Sequence, residues 1–137
     1  LHDALPISNP KTRRMDDIYI TLAGPAMNLV LCFVLAVIGG LGNFDPKTQG
    51  VVIQFLVNGI FLNAGLVVFN LIPIPPLDGS RLALRLGLFS EEFFLSLARW
   101  GFVVLIVLVN LPPFLRVMHA GIILLASPWL GLWDLLA

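Results

Sequence analysis

Residues 50–81 read GVVIQFLVNGIFLNAGLVVFNLIPIPPLDGSR, a long oily run that ends in three prolines and a carboxylate. From residue 48 to residue 77 there is no charged side chain, and residues 18–44 form a second uncharged run. Each run exceeds the ~20 residues that a helix needs to cross a hydrocarbon core ~30 Å thick. The whole chain agrees: 137 residues, 58% hydrophobic, 12% charged, with a mean hydropathy of +0.97. A soluble domain of this size needs far more polar surface over its core. The reading is an all-α integral membrane protein with the lipid bilayer as its solvent, and nothing in it points to nucleic acid.

Four membrane segments are expected. The first covers residues 18–41 and stops at the breaker cluster Gly39-Gly40-Leu41-Gly42-Asn43. The second covers 50–72 and ends at Pro73, which has no backbone donor to continue the ladder. The third covers 93–111 and ends at Pro112-Pro113, and the fourth covers 117–132, interrupted by Pro128. Residues 1–17 form an N-terminal segment ahead of this 18–137 membrane domain. Between the second and third segments, Arg81 and Arg85 are four apart and share a helical face, with leucines opposite, as expected for a short helix at the membrane surface. Lys11, Arg13, Arg14, Arg81 and Arg85 fall on one side, with Lys47 and Arg116 on the other, so the N-terminal side and the 73–92 connection are expected in the cytoplasm. Trp129, Trp133 and Tyr19 are placed to sit at interfaces, and Arg99 to snorkel or meet a carboxylate. The single cysteine, Cys32, reads as a small packing residue.

The chemistry concentrates where the second segment breaks. Irregular backbone at membrane depth is tolerated where protein buries it or a wet cavity solvates it. A carboxylate there costs ~2.5–3.5 kcal/mol on insertion scales, so it normally has a partner. Asp78 beside Pro73, Pro75 and Pro76 can therefore build a polar pocket for a metal, a proton or a cation. The competing account is plainer: Asp78 caps the helix that carries Arg81, and Asn70 and Pro73 merely stop a helix, as Asn110 and Pro112 do. A transporter-like ion site is a further alternative, because transporters also use discontinuous helices around an acid. Against it, no second broken helix of the same form occurs in a corresponding half.

The stretch Asn70-x-x-Pro73-x-Pro75-x-Leu77-Asp78-Gly79 resembles the Asn-x-x-Pro-x-Pro-x-Leu-Asp-Gly signature of the site-2 protease family of intramembrane zinc metalloproteases. Ala23-Gly24-Pro25-Ala26-Met27-Asn28 is similar to the Ala-Gly-Pro-x-x-Asn block of that family's upstream helix, and Asn9-Pro10 with Arg13-Arg14 to the basic stretch before it. The resemblance implies a zinc enzyme that cleaves transmembrane segments of membrane proteins in regulated intramembrane proteolysis, in a bacterial cell membrane. It implies Asp78 as one zinc ligand, the other two being the histidines of an H-E-x-x-H helix whose Glu is the general base. It further implies that Asn28 and Asn70 bind substrate backbone or support the zinc shell, with Gly24, Pro25 and Gly79 around them and the prolines holding the loop rigid. Asn63, seven residues before Asn70, reads instead as glue between helices.

No H-E-x-x-H occurs in these 137 residues. His2 lacks the Glu and second His, and His119 stands alone, so it reads as a packed or hydrogen-bonded residue. The expectation is a C-terminal piece of a longer enzyme, inactive alone, with residues 1–5 foreign to the pattern. A non-catalytic family member that binds membrane helices without cutting them is the other outcome.

Overall fold

The computed structural model describes residues 10–137; His2, Asn9 and residues 1–5 lie outside them. Five helices follow in order: α1 (Pro10–Leu41), α2 (Gly50–Asn70), α3 (Asp78–Arg85), α4 (Glu91–Val109) and α5 (Pro112–Leu136). Among the described residues there is no strand. As the two uncharged runs demand, α1 and α2 are long and apolar enough to cross a membrane, and so are α4 and α5.

The helix ends follow local chemistry, and in places they differ from the expected bounds. α1 starts at Pro10, eight residues before the apolar run, because the polar stretch that carries Lys11 to Asp17 has no breaker and continues the helix. α4 begins after Ser90, whose hydroxyl accepts the Phe93 N–H at 3.1 Å, with Glu91 and Glu92 in the first turn facing the positive end of the helix dipole. α4 stops at Val109, and Pro112 opens α5 at a position where a missing N–H is no loss. Pro128 does not interrupt α5. It deprives the Leu124 carbonyl of its usual donor, and the Ser127 hydroxyl bonds that carbonyl at 3.1 Å instead.

The core lies where α1, α2 and α5 meet. Cys32, Ala36, Ile60, Ala64 and Ala126 are fully buried there, with Leu35, Phe61, Ile122, Leu125, Trp129 and Trp133 packed around them. Four of those five buried side chains are small or slender, so the backbones approach closely, which is how helices cohere where lipid gives no hydrophobic drive. Cys32 is such a packing residue, its thiol donating to the Ile60 carbonyl at 3.5 Å. The two late tryptophans pack against α1. Trp133 lies on Gly39, and Trp129 meets Phe33 edge-on with ring centroids 6.3 Å apart.

These contacts fix direction. Trp129 pairs with Phe33, Trp133 with Gly39 and Leu136 with Gly40, so α5 runs parallel to α1. Gly121 lies against Val68 and Gly65 against Ile122, so α5 runs antiparallel to α2. The start of α5 therefore sits at the end of the bundle where α2 finishes. A second cluster marks that end: Ile72, Leu77 and Leu105 are buried together with Phe114 and Met118. Arg116 thus belongs to the same end as Arg81 and Arg85, not opposite them as the sequence count assumed. His119, one turn further along α5 and expected to be packed or hydrogen-bonded, is exposed beside Leu115 and Arg116 and bonds no described residue.

Candidate functional site

α2 ends at Asn70, and residues 71–77 form a tight loop. Leu71 N–H bonds the Val67 carbonyl at 3.1 Å, Ile72 N–H the Phe69 carbonyl at 3.1 Å, Ile74 N–H the Ile72 carbonyl at 2.8 Å, and Leu77 N–H the Ile74 carbonyl at 2.9 Å. The Pro75–Pro76 peptide is cis. Pro75 and Leu77 are buried, whereas Pro73 and Pro76 are exposed. The loop turns back on itself so closely that Gly79 lies directly against the Leu71 and Ile72 carbonyl groups, where no Cβ fits. Gly79 is required at this point of the Leu77-Asp78-Gly79 triplet for space.

Asp78 is the first residue of α3 and is half-buried. The residue in the capping position is Leu77, and no side chain caps the helix. The Asp78 carboxylate makes no hydrogen bond or ion pair with any described residue. Ser80, buried next to it, satisfies its own hydroxyl by donating to the Leu77 carbonyl at 2.7 Å.

The carboxylate points at α1. One Asp78 oxygen lies 3.6 Å from the position a Cβ would take on Gly24, so the carboxylate is at van der Waals distance from this point of α1. Pro25, the next residue, is buried and has no N–H to give to the Thr21 carbonyl. Thr21 itself donates its hydroxyl to the Asp17 carbonyl at 2.7 Å. Asn28 is one turn along α1 from Gly24 and is half-buried, its side chain bonded to no described residue. Asn70 is also half-buried, and its side chain bonds no described residue. In contrast, Asn110 donates to the Ile106 carbonyl at 2.7 Å, as a residue closing its own helix does. Asn63 donates to the Gly59 carbonyl at 2.8 Å, within its own helix and not across to another as its reading as glue supposed. The structure thus brings Asp78 to Gly24, and neither Asn28 nor Asn70 reaches Asp78 by a hydrogen bond.

An ion pair not foreseen from the sequence aligns the two halves. Arg85, expected on the face of a short helix at the membrane surface, bonds Asp17 at 2.7 Å. Arg85 is seven residues after Asp78, and Asp17 is seven residues before Gly24, so two turns separate the contacts on each helix. α1 and α3 therefore run antiparallel in a register that pairs 17 with 85 and 24 with 78. The only sequence signal for this is the shared spacing of seven, which means nothing until the helices are known to touch. A cleft of about 310 Å³ lies beside the pair, lined by Asp17, Thr21, Arg81, Arg85 and Phe94 among others. Arg99, expected to snorkel or to meet a carboxylate, is exposed and bonds none of the described residues.

Among the described residues no group of three His, Cys, Asp or Glu side chains comes together. These residues do not hold a zinc ion by themselves, and at this place the chain offers one oxygen donor, Asp78.

Two curated proteins are similar to the chain. "Putative zinc metalloprotease YwhC" of Bacillus subtilis (strain 168) is 37% identical over 78 residues, covering 53% of this chain and 35% of that protein. "Putative zinc metalloprotease Rip2" of Mycolicibacterium smegmatis is 34% identical over 94 residues, covering 68% of this chain and 36% of that protein. The chain spans about a third of the length of the curated relatives it matches. No family model matches it, and no solved structure does.

Proposed function

We propose that this chain, a relative of zinc metalloproteases of the site-2 protease family, is the part of such an enzyme that lends Asp78 to a catalytic zinc in the membrane. The observation that carries this reading is the carboxylate itself. It is half-buried, aimed at Gly24, and bonded to no described residue. A charge so placed at the edge of the apolar region is costly unless a cation balances it. An acid that served only as a helix cap would be bonded to backbone N–H groups, and Asp78 has no such bond.

The remaining donors would come from residues outside these 137, since one carboxylate cannot hold a catalytic zinc. In a three-ligand site of this kind the metal supplies an activated water near neutral pH. The chain's own residues would position. Pro73, Pro75 and Gly79 fix the loop, Gly24 and Pro25 form the wall of α1 that the acid faces, and Asn28 and Asn70, whose side chains bond no described residue, offer their amides to the backbone of an unwound substrate. The substrate would be a transmembrane segment of another membrane protein, cut near the cytoplasmic face of a bacterial cell membrane.

The test is metal content in the longer protein. Purified full-length enzyme is expected to hold one zinc per chain, and Asp78→Ala to lose most of it while keeping its helical circular dichroism. Zinc retained in full by the folded Asp78→Ala variant refutes the assignment, and an enzyme that takes up a monovalent cation in place of zinc favours the transporter-like alternative.

A further inference from the structure

The direction of α5 constrains the path of α4. α2 ends, and α3 lies, at the end of the bundle marked by Asp17, and α5 starts at that same end, with Phe114 and Met118 beside Ile72. A helix that left this end and crossed the bilayer would deliver the chain to the opposite end, and α5 would then have to run antiparallel to α1. It runs parallel.

Contacts along α4 agree. Phe94, in its first turn, lines the cleft with Asp17, Thr21 and Arg85. Gly101, at its middle, is buried directly against the Pro75 carbonyl. Leu105, a turn later, packs with Ile72, Leu77, Phe114 and Met118. Start, middle and late part of the helix all touch the same end of the bundle. With 19 residues α4 is about 28 Å long, enough to lie across three packed helices.

We infer that α1, α2 and α5 cross the bilayer, and that α4 lies in the membrane plane across the mouth of the Asp78 site, its apolar surface set in the acyl chains just beneath the headgroups. The depth fits: Thr21 and Gly24 stand about 5 and 9 Å along α1 from the start of its apolar run at Ile18, within the layer that in-plane helices occupy. The occupant of the exposed face is lipid because Trp100, Phe102, Val103, Ile106 and Val107 stand outward around α4 and no described element covers them. Arg99, on the same helix and exposed, is long enough to reach the phosphates from that depth. The charge distribution sharpens as well. Seven of the eight Lys and Arg residues then fall at the α3 end, and Lys47 alone at the other. That is a stronger cytoplasmic signal than the sequence count gave. The inference is independent of what Asp78 holds.

The whole chain, with Cys32→Ala to remove the native thiol, tests it in sealed membranes with an impermeant maleimide. Thr48→Cys and Ala137→Cys are expected to react from one side, and Leu88→Cys from the other. If Ala137→Cys reacts from the side of Leu88→Cys, α4 crosses and the inference is overturned. Alkaline phosphatase fused after Ala137 of the unaltered chain gives a second reading: high activity in intact cells supports three crossings, and activity at the level of a cytoplasmic control overturns them.

Discussion

Replacing Gly79 with Ala adds one methyl group where the structure has no space. The new Cβ would fall on the Leu71 carbonyl carbon and oxygen and on the Ile72 oxygen, all of them backbone atoms. Neither side can give way cheaply. Leu71 and Ile72 are tied to Val67 and Phe69 at 3.1 Å each, while Ser80 is tied to Leu77 through its N–H at 3.2 Å and its hydroxyl at 2.7 Å. In an open helix Gly→Ala stabilises by up to ~1 kcal/mol. Here the overlap should reverse the sign, with a net loss of about 1–3 kcal/mol, the range found for overpacked cores. A loss near 2 kcal/mol moves the folded-to-unfolded ratio by roughly thirtyfold. The assay is equilibrium unfolding in a mild-detergent and dodecyl sulfate titration, followed by far-UV circular dichroism. Gly50→Ala is the internal control, because Gly50 opens α2 and has nothing within 4 Å of its Cβ position. The control should be neutral or slightly stabilised. If Gly79→Ala unfolds at the same midpoint as Gly50→Ala, the close return of α3 onto the end of α2 is refuted, and with it the placement of Asp78.

Two further outcomes are expected. Asp17→Arg and Arg85→Asp should each cost less than about 1 kcal/mol, since the pair is part-exposed, and the double exchange should recover most of the loss in the same titration. Asn110→Ala should lower stability by about 0.5–1.5 kcal/mol through its lost bond to Ile106, whereas Asn70→Ala, whose side chain bonds no described residue, should be near neutral in thermal melts.

The prolines show how far local reading reaches. Pro73 stops α2 near where a missing donor predicts, yet Pro112 starts a helix where a stop was expected, and Pro128 sits inside one. A proline removes a single hydrogen bond, and whether that breaks a helix depends on what else can supply it, here the Ser127 hydroxyl. Arg85 is another case. Its spacing from Arg81 describes its face on α3, but its partner lies 68 positions away in the chain, where no local pattern reaches.

The uncharged runs alone determined that this is a helical membrane protein, because burying unpaired backbone in lipid leaves a helix as the form for a stretch of that length and composition. The signature from Asn70 to Gly79, with the Ala23 to Asn28 block, likewise pointed to zinc metalloprotease relatives without any coordinates. The tertiary structure decided that Asp78 faces Gly24, that Asp17 and Arg85 set that register, and that α5 runs parallel to α1. Hydropathy measures how far a segment can reach but carries no direction, and small residues let helices pack equally well either way along the bundle.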